Sequence, residues 1–123
     1  MDPDLFDKLR LELRRGSLTL AALVQLQQEH YGYTLRKALG DLGLEIDEGT
    51  LYPLLRRLEA QGLLTSEWRD DGTRPKRWYR LSPAGRPLLE QLLAEWRALD
   101  AALMRIAAGS GAPGRDPNAA SPS

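Results

Sequence analysis

Apolar residues recur three and four positions apart along most of this chain, and strand-like character appears only once, between residues 64 and 81. Asp2 and Pro3 pair as an N-cap and a first-turn proline. Phe6, Leu9 and Leu13 then share a face until Gly16, which predicts a short amphipathic arm over residues 1–16. Ser17 is placed to cap a second helix running to about Glu29, with Leu20, Leu23, Val24 and Leu26 as its buried stripe. Tyr31-Gly32-Tyr33 interrupts the period. A third helix follows with Leu35, Leu39 and Leu42 inward and Arg36 and Lys37 outward, ending near Gly40 or Gly43. After a brief turn, Asp47 caps a fourth helix. Ile46 and Leu51 are set as a hydrophobic staple, and the stripe Leu51, Leu54, Leu55 and Leu58 stops at Gly62. Pro53 conflicts with this helix, because it lacks the amide that would bond the Gly49 carbonyl. Either the helix begins at Pro53 or its first turn is distorted.

Leu64 to Arg69 and Trp78 to Leu81 form two strands around a turn at Asp71 and Gly72. Two helices joined by a short turn and followed by a basic hairpin predict a winged helix-turn-helix over residues 17–82. Ser82 and Pro83 open a long helix over residues 83–108, where Leu89, Leu92, Trp96, Leu99, Leu103 and Ile106 alternate three and four apart. That is a coiled-coil seam, and Leu88 and Leu93 widen it beyond what a small winged helix needs, so a homodimer is expected. Residues 109–123, rich in Gly, Ala, Pro, Ser and Asn, carry no apolar period and read as a disordered tail. The fold class is mainly α with a small β-hairpin.

The chain has 123 residues, enough for one compact core. No stretch of about eighteen apolar residues exists, and Asp2, Asp4 and Asp7 precede any apolar run, so neither a membrane span nor a signal peptide is expected and the protein reads as cytoplasmic. With no cysteine and one histidine, His30, neither disulfides nor a Cys/His zinc site is expected, and no other cofactor is indicated. The same scarcity leaves no nucleophile, base and orienting acid to assemble, so an enzyme is not expected. The formal net charge of zero argues against nucleic acid until its distribution is considered. From Thr50 to Leu81, Arg56, Arg57, Arg69, Arg74, Lys76, Arg77 and Arg80 outnumber Glu59, Glu67, Asp70 and Asp71, whereas Asp41, Glu45, Asp47 and Glu48 lie just before.

Several ordered blocks carry a resemblance. They are Arg15-Gly16-Ser17, Tyr31-Gly32-Tyr33, Gly49-Thr50-Leu51-Tyr52-Pro53-Leu54-Leu55-Arg56-Arg57-Leu58-Glu59, Gly62-Leu63-Leu64, Lys76-Arg77-Trp78-Tyr79 with Leu81, and Pro83-Ala84-Gly85. Over roughly residues 9 to 106 the chain resembles the PadR family. The resemblance implies a winged-helix repressor that dimerises through its C-terminal helix, often with an N-terminal arm, and releases DNA when a small aromatic or drug-like effector binds. Two positions depart from the pattern: Glu48 stands where proline is frequent, and Trp78 where tyrosine is usual.

A helix-turn-helix lays its second helix in the major groove, so Thr50, Tyr52, Pro53, Arg56 and Arg57 are the readout candidates. Tyr52 and Arg56 share one outward strip; Thr50, Pro53 and Arg57 form its neighbour. Tyr31, Tyr33, Arg36 and Lys37 on the preceding helix are candidates for phosphate contact, with packing an equal reading for the two tyrosines. Thr73, Arg74, Lys76 and Arg77 are the wing candidates. Trp68 and Trp78 are expected to pack across the wing or onto the core. Trp96 belongs to the dimer seam, and two copies across it are candidates to line an effector pocket. A dimer would set its units about 34 Å apart on an inverted-repeat operator. The competing reading is a winged helix that serves as a protein-interaction module.

Overall fold

A computed structural model describes residues 2–111 and contains α1 (Leu5–Gln25), α2 (Gly32–Asp41), α3 (Glu48–Ala60), β1 (Leu64–Arg69), β2 (Lys76–Leu81) and α4 (Gly85–Gly111). The architecture is mainly helical with one antiparallel hairpin, as the periodicity predicts. The chain divides after Glu90 into two compact units. The first holds the winged helix, in which α1 packs on α2, α2 on α3, and α3 on β1.

The expected break at Gly16 is absent: α1 runs unbroken through Gly16 and Ser17 for 21 residues. One interior glycine costs only about 1 kcal/mol, too little to stop a helix that propagates from both flanks. The start also differs from expectation. The helix begins at Leu5 behind Asp4, while Asp2 folds back to accept the Asp4 amide on Oδ1 at 2.8 Å. The C-terminal end of α1 is the buried end, where Ala22, Leu23 and Leu26 enter the core.

α2 and α3 terminate in the same way. At α3 the Gly62 amide donates to the Glu59 carbonyl at 2.9 Å and the Leu63 amide to the Leu58 carbonyl at 3.0 Å, with Gly62 at φ +84°. That left-handed conformation is open to glycine at little cost and turns the chain straight into β1. Gly43 plays the corresponding part after α2, whereas Gly40 stays inside the helix. Leu35 and Leu39 are buried, but Leu42, expected to face inward, is 68% exposed because it is the C-cap residue, where the helical period no longer applies.

α3 starts at Glu48 rather than at Pro53, and Asp47 caps it by accepting the Thr50 amide on Oδ1 at 2.8 Å. Pro53 therefore lies within the helix. The cap and four buried leucines at positions 51, 54, 55 and 58 offset it, each leucine contributing about 2 kcal/mol on burial.

In the wing, Leu64 pairs with Leu81, Ser66 with Tyr79 and Trp68 with Arg77; the opposite face carries the pairs Thr65–Arg80, Glu67–Trp78 and Arg69–Lys76. β2 begins two residues earlier than the apolar pattern indicates. A third segment flanks it: His30 and Tyr79 exchange main-chain hydrogen bonds of 3.1 and 2.8 Å, and the Leu81 amide donates to the Leu26 carbonyl at 2.7 Å. The chain then leaves the wing through a clasp. Ser82 Oγ donates to the Gly62 carbonyl at 2.7 Å and accepts the Gly85 amide at 2.9 Å.

α4 extends to Gly111, so residues 109–111, expected in a disordered tail, are helical; the rest of that expected tail lies outside the described residues. In its first turns Leu89 is buried within the winged-helix unit at 3% exposure. In the second unit, taken by itself, Leu92, Trp96, Leu99, Leu103 and Ile106 are exposed. Among the described residues no helix is long and apolar enough to cross a membrane.

Two stability predictions follow from the clasp and from His30. A Cβ added at Gly85 would stand 2.5 Å from the Leu63 carbonyl oxygen, which is backbone and cannot move aside. Gly85→Ala should therefore lower stability by about 2 kcal/mol in denaturant unfolding, although alanine is the better helix former; an unchanged midpoint would show that the clasp yields. The His30 imidazole has Nδ1 3.0 Å from Thr34 Oγ1 and a buried Nε2 without a hydrogen-bond partner among the described residues, and burial holds its pKa below the ordinary 6.5. The folded state thus resists protonation. Stability is full above pH 6.5 and falls as the pH drops through the lowered value. His30→Asn should remove the acid-side fall that begins as the pH drops below 6.5 in thermal melts, ahead of the loss due to carboxylates, which titrate at lower pH.

Candidate nucleic-acid interface

The rotation of α3 decides what it shows to solvent. With its leucines turned inward, Thr50, Pro53, Arg56 and Arg57 are exposed. Among the described residues neither Arg56 nor Arg57 has a carboxylate within salt-bridge distance, so both guanidinium groups are available to an anionic partner. Tyr52 is half-buried instead of fully outward. Its ring lies over Gly32 at the start of α2, where an added Cβ would meet the phenol oxygen at 2.3 Å. The tight Tyr31-Gly32-Tyr33 turn and Tyr52 of α3 are thus two halves of one contact.

The two tyrosines of that turn separate in role. Tyr31 is half-buried, meets Trp78 edge-on at 4.9 Å between ring centroids, and has the Lys76 ammonium 5.4 Å from its own ring centre. Thr34 Oγ1 accepts the Tyr31 amide at 3.1 Å, which fixes the start of α2. Tyr33 is exposed, with its ring centre 6.4 Å from that of Tyr31.

Arg36 and Lys37 are engaged within the chain. Arg36 spans the helix-turn-helix, donating to the Ile46 carbonyl at 3.3 Å and to Glu48 Oε1 at 3.0 Å. Glu48, the departure from the family pattern, is therefore partly neutralised by a cation of α2. Lys37 lies 3.7 Å from Asp41, one turn along α2. Both pairs are exposed enough for a phosphate to compete for the cation.

The wing cations differ in the same way. Arg77 is anchored: it donates to Ser66 Oγ at 2.9 Å and to Glu59 Oε1 at 3.2 Å, and Ser66 in turn donates to Glu59 Oε2 at 2.6 Å. Its guanidinium lies 5.6 Å from the Trp68 ring centre and 5.8 Å from that of Tyr79. Burial raises the Tyr79 phenol above its ordinary pKa, opposed by the nearby Arg77 charge. Glu59, the last acidic residue of α3, thus ties that helix to the hairpin. Lys76 is held in the turn by Thr73 Oγ1 at 3.0 Å and by Asp71 at 3.6 Å; the Thr73 hydroxyl and the Lys76 charge hold Asp71 below the usual carboxylate range. Arg74, at the tip, has no carboxylate within salt-bridge distance among the described residues.

Between α3, the start of α2 and the hairpin lies an open groove of about 470 Å³, lined by Tyr31, Gly32, Tyr52, Arg56, Trp68, Pro75, Lys76, Arg77 and Tyr79. Its walls are aromatic and cationic, and none of the lining residues is acidic. The opposite wing face carries Glu29 and Glu67, both paired with Arg69, whose guanidinium lies 5.2 Å from the Trp78 ring centre. Trp78 packs as expected. Trp68 meets Arg77 across the wing but does not reach the core, and it is 64% exposed on the groove side. The two indoles fall on opposite faces because Trp68 pairs with Arg77 and Trp78 with Glu67, one step apart in the register. Sequence reading treats them alike because period-two counting needs the register, which the loop over residues 70–75 conceals. Glu59 and Ser66 also escape notice, since a lone carboxylate and a lone hydroxyl carry no signal until the hairpin brings them together.

Comparison with known proteins agrees with this geometry. Residues 20–91 match the Transcriptional regulator PadR-like family. The chain is 38% identical over 99 residues to the transcriptional regulator Rv3488 of Mycobacterium tuberculosis, covering 80% of this chain and 90% of that protein. Among solved structures it is similar to a PadR family transcriptional regulator from Eggerthella lenta, with a TM-score of 0.80 at 44% identity over 84% of this chain and 92% of that one. A transcriptional regulator from Clostridium thermocellum superposes with a TM-score of 0.70 at 28% identity, covering 76% and 96% of the two chains. A helix-turn-helix with a cationic wing groove, matched by the family over residues 20–91, places this chain in the PadR-like family of transcriptional regulators.

Proposed function

We propose that the protein is a cytoplasmic repressor that binds an inverted-repeat operator as a homodimer and leaves DNA when a small aromatic or drug-like effector binds. The observation that carries the DNA-binding part is the outer strip of α3: Thr50, Pro53, Arg56 and Arg57 stand exposed, and Arg56, with Tyr52, lines a groove that holds Lys76 and Arg77 and no acidic residue. On this reading Arg56 reads base edges, since two parallel guanidinium donors match guanine, while Thr50, Tyr52, Pro53 and Arg57 complete the readout surface. Arg74 and Lys76 at the wing, with Tyr33 and Lys37 on α2, supply backbone contacts. Arg77 and Arg36 act chiefly by holding the hairpin and the helix-turn-helix in place.

The homodimer is supported by the exposed stripe on α4, where Leu92, Trp96, Leu99, Leu103 and Ile106 repeat at coiled-coil spacing. Leu89 serves the winged-helix core. The exposed Phe6, Leu9 and Leu13 on α1 are a second apolar strip that a dimer would use. On this reading the effector would sit at Trp96, where symmetry would bring two indoles together.

Titration against the promoter upstream of the protein's own gene and a scrambled duplex, each at two salt concentrations, tests the assignment. Arg56→Ala should compress the differences between operator variants by about 1 to 3 kcal/mol, while Arg74→Ala weakens binding to all duplexes about equally. Equal operator preferences in Arg56→Ala and wild type would remove Arg56 from readout, and affinity indifferent to salt would favour a protein-interaction module. Leu99→Glu should yield monomers in sedimentation velocity and lose tight operator binding with them. A fully dimeric variant would take that face of α4 out of the interface.

A further inference from the structure

The least explained feature of the winged-helix unit is the exposed indole of Trp68. A tryptophan left in water forfeits a large burial gain, and nothing in the core requires this one, because Leu64, Tyr79 and Leu81 already fill the hairpin's inner face. Its position is nevertheless well defined. Trp68 lies directly across from Arg77, whose guanidinium is held over the ring by the Glu59 and Ser66 bonds at the end of the recognition helix. The indole is therefore carried on a support fixed to α3, so ordering it against a partner costs little entropy.

The geometry points to Trp68 as an uncharged DNA contact of the wing, its ring resting on the sugar-phosphate strand in the groove between hairpin and α3. The inference rests on the DNA-binding reading above. Charge selects the occupant. Arg56, Lys76 and Arg77 line this groove and no acidic residue does, whereas on the opposite wing face Glu29 and Glu67 stand with Arg69 and Arg80. A polyanion is favoured on the groove side, where the lining sets no carboxylate against it. Next to the cations, the apolar ring gains by covering a deoxyribose, and its Nε1–H is a donor suited to a phosphate oxygen. Such a contact adds affinity without neutralising charge or reading a base.

The full-length chain and a mixed-sequence duplex three helical turns long suffice for the test, because the contact is sequence-independent. Trp68→Ala should weaken binding about fivefold to tenfold. It should leave the slope of log affinity against log salt unchanged, whereas Arg74→Ala makes that slope shallower by about 0.9 for a lost phosphate contact. Trp68→Phe, which keeps the ring, should recover most of the affinity, and both variants should melt with the wild type, which separates contact from a structural role. Wild-type affinity in Trp68→Ala overturns the inference. So does a loss that comes with a lowered melting temperature and no rescue by phenylalanine. If Trp68→Ala binds the duplex normally but loses a fluorescence response to benzoate seen in the wild type, the groove belongs to a small aromatic anion and the DNA contact is refuted. Failure of the wild type itself to bind the duplex would overturn the DNA-binding reading as well.

Discussion

The orientation of α3 is set by four leucines, and everything exposed on its outer side depends on that constraint. At about 2 kcal/mol each, Leu51, Leu54, Leu55 and Leu58 fix the rotation of a thirteen-residue helix far more firmly than any surface pair can. A shift of one residue would carry Arg56 toward the core, where an unpaired guanidinium is prohibitive. The core therefore presents Thr50, Pro53, Arg56 and Arg57 without any specific interaction holding those side chains outward. It also tolerates Pro53: the Asp47 cap satisfies the Thr50 amide, and packing supplies the rest.

Rotation alone does not place the wing. That task falls to Glu59, whose carboxylate accepts from both Arg77 and Ser66, and to the clasp in which Ser82 holds the Gly62 carbonyl while Gly85 passes close to Leu63. The two devices lie at opposite ends of the hairpin. The first acts where the strands approach the turn, the second where they leave the core. The hairpin consequently behaves as an extension of α3, and the groove between them has defined walls.

The periodicity of the chain discloses most of this fold, because buried leucines at helical spacing dominate it. It identifies α2, α3, the hairpin and α4, along with the cap at Asp47 and the stop at Gly62. It misplaces a boundary at Gly16, where local turn chemistry is weaker than the cooperativity of α1. It also misjudges Leu42, which lies beyond the last regular turn. At the candidate site the outward positions of α3 are legible by subtraction once the leucines are assigned. The engagement of Arg36, Arg77 and Lys76 is not, since whether an arginine is free or clamped depends on which carboxylate the fold delivers to it. Glu48 illustrates the point: in sequence it is a negative charge beside the readout helix, and in space it is paired with Arg36.

Clamping so many cations bears on how a protein of zero net charge is to hold DNA. Counterion release rewards each phosphate neutralised, but a guanidinium already paired with Glu59 or Glu48 contributes less to that term than a free one. In the proposed complex, of the cations on α2, α3 and the wing assigned to DNA, those without a salt-bridge carboxylate among the described residues are Arg56, Arg57 and Arg74, a modest polyelectrolyte contribution per subunit. Non-specific affinity is then low, and the balance comes from dimerisation, which doubles the contact set, and from uncharged contacts along α3 and the wing. A regulator arranged in this way spends less of its time on unrelated DNA, because what distinguishes its operator is shape and base edges rather than charge.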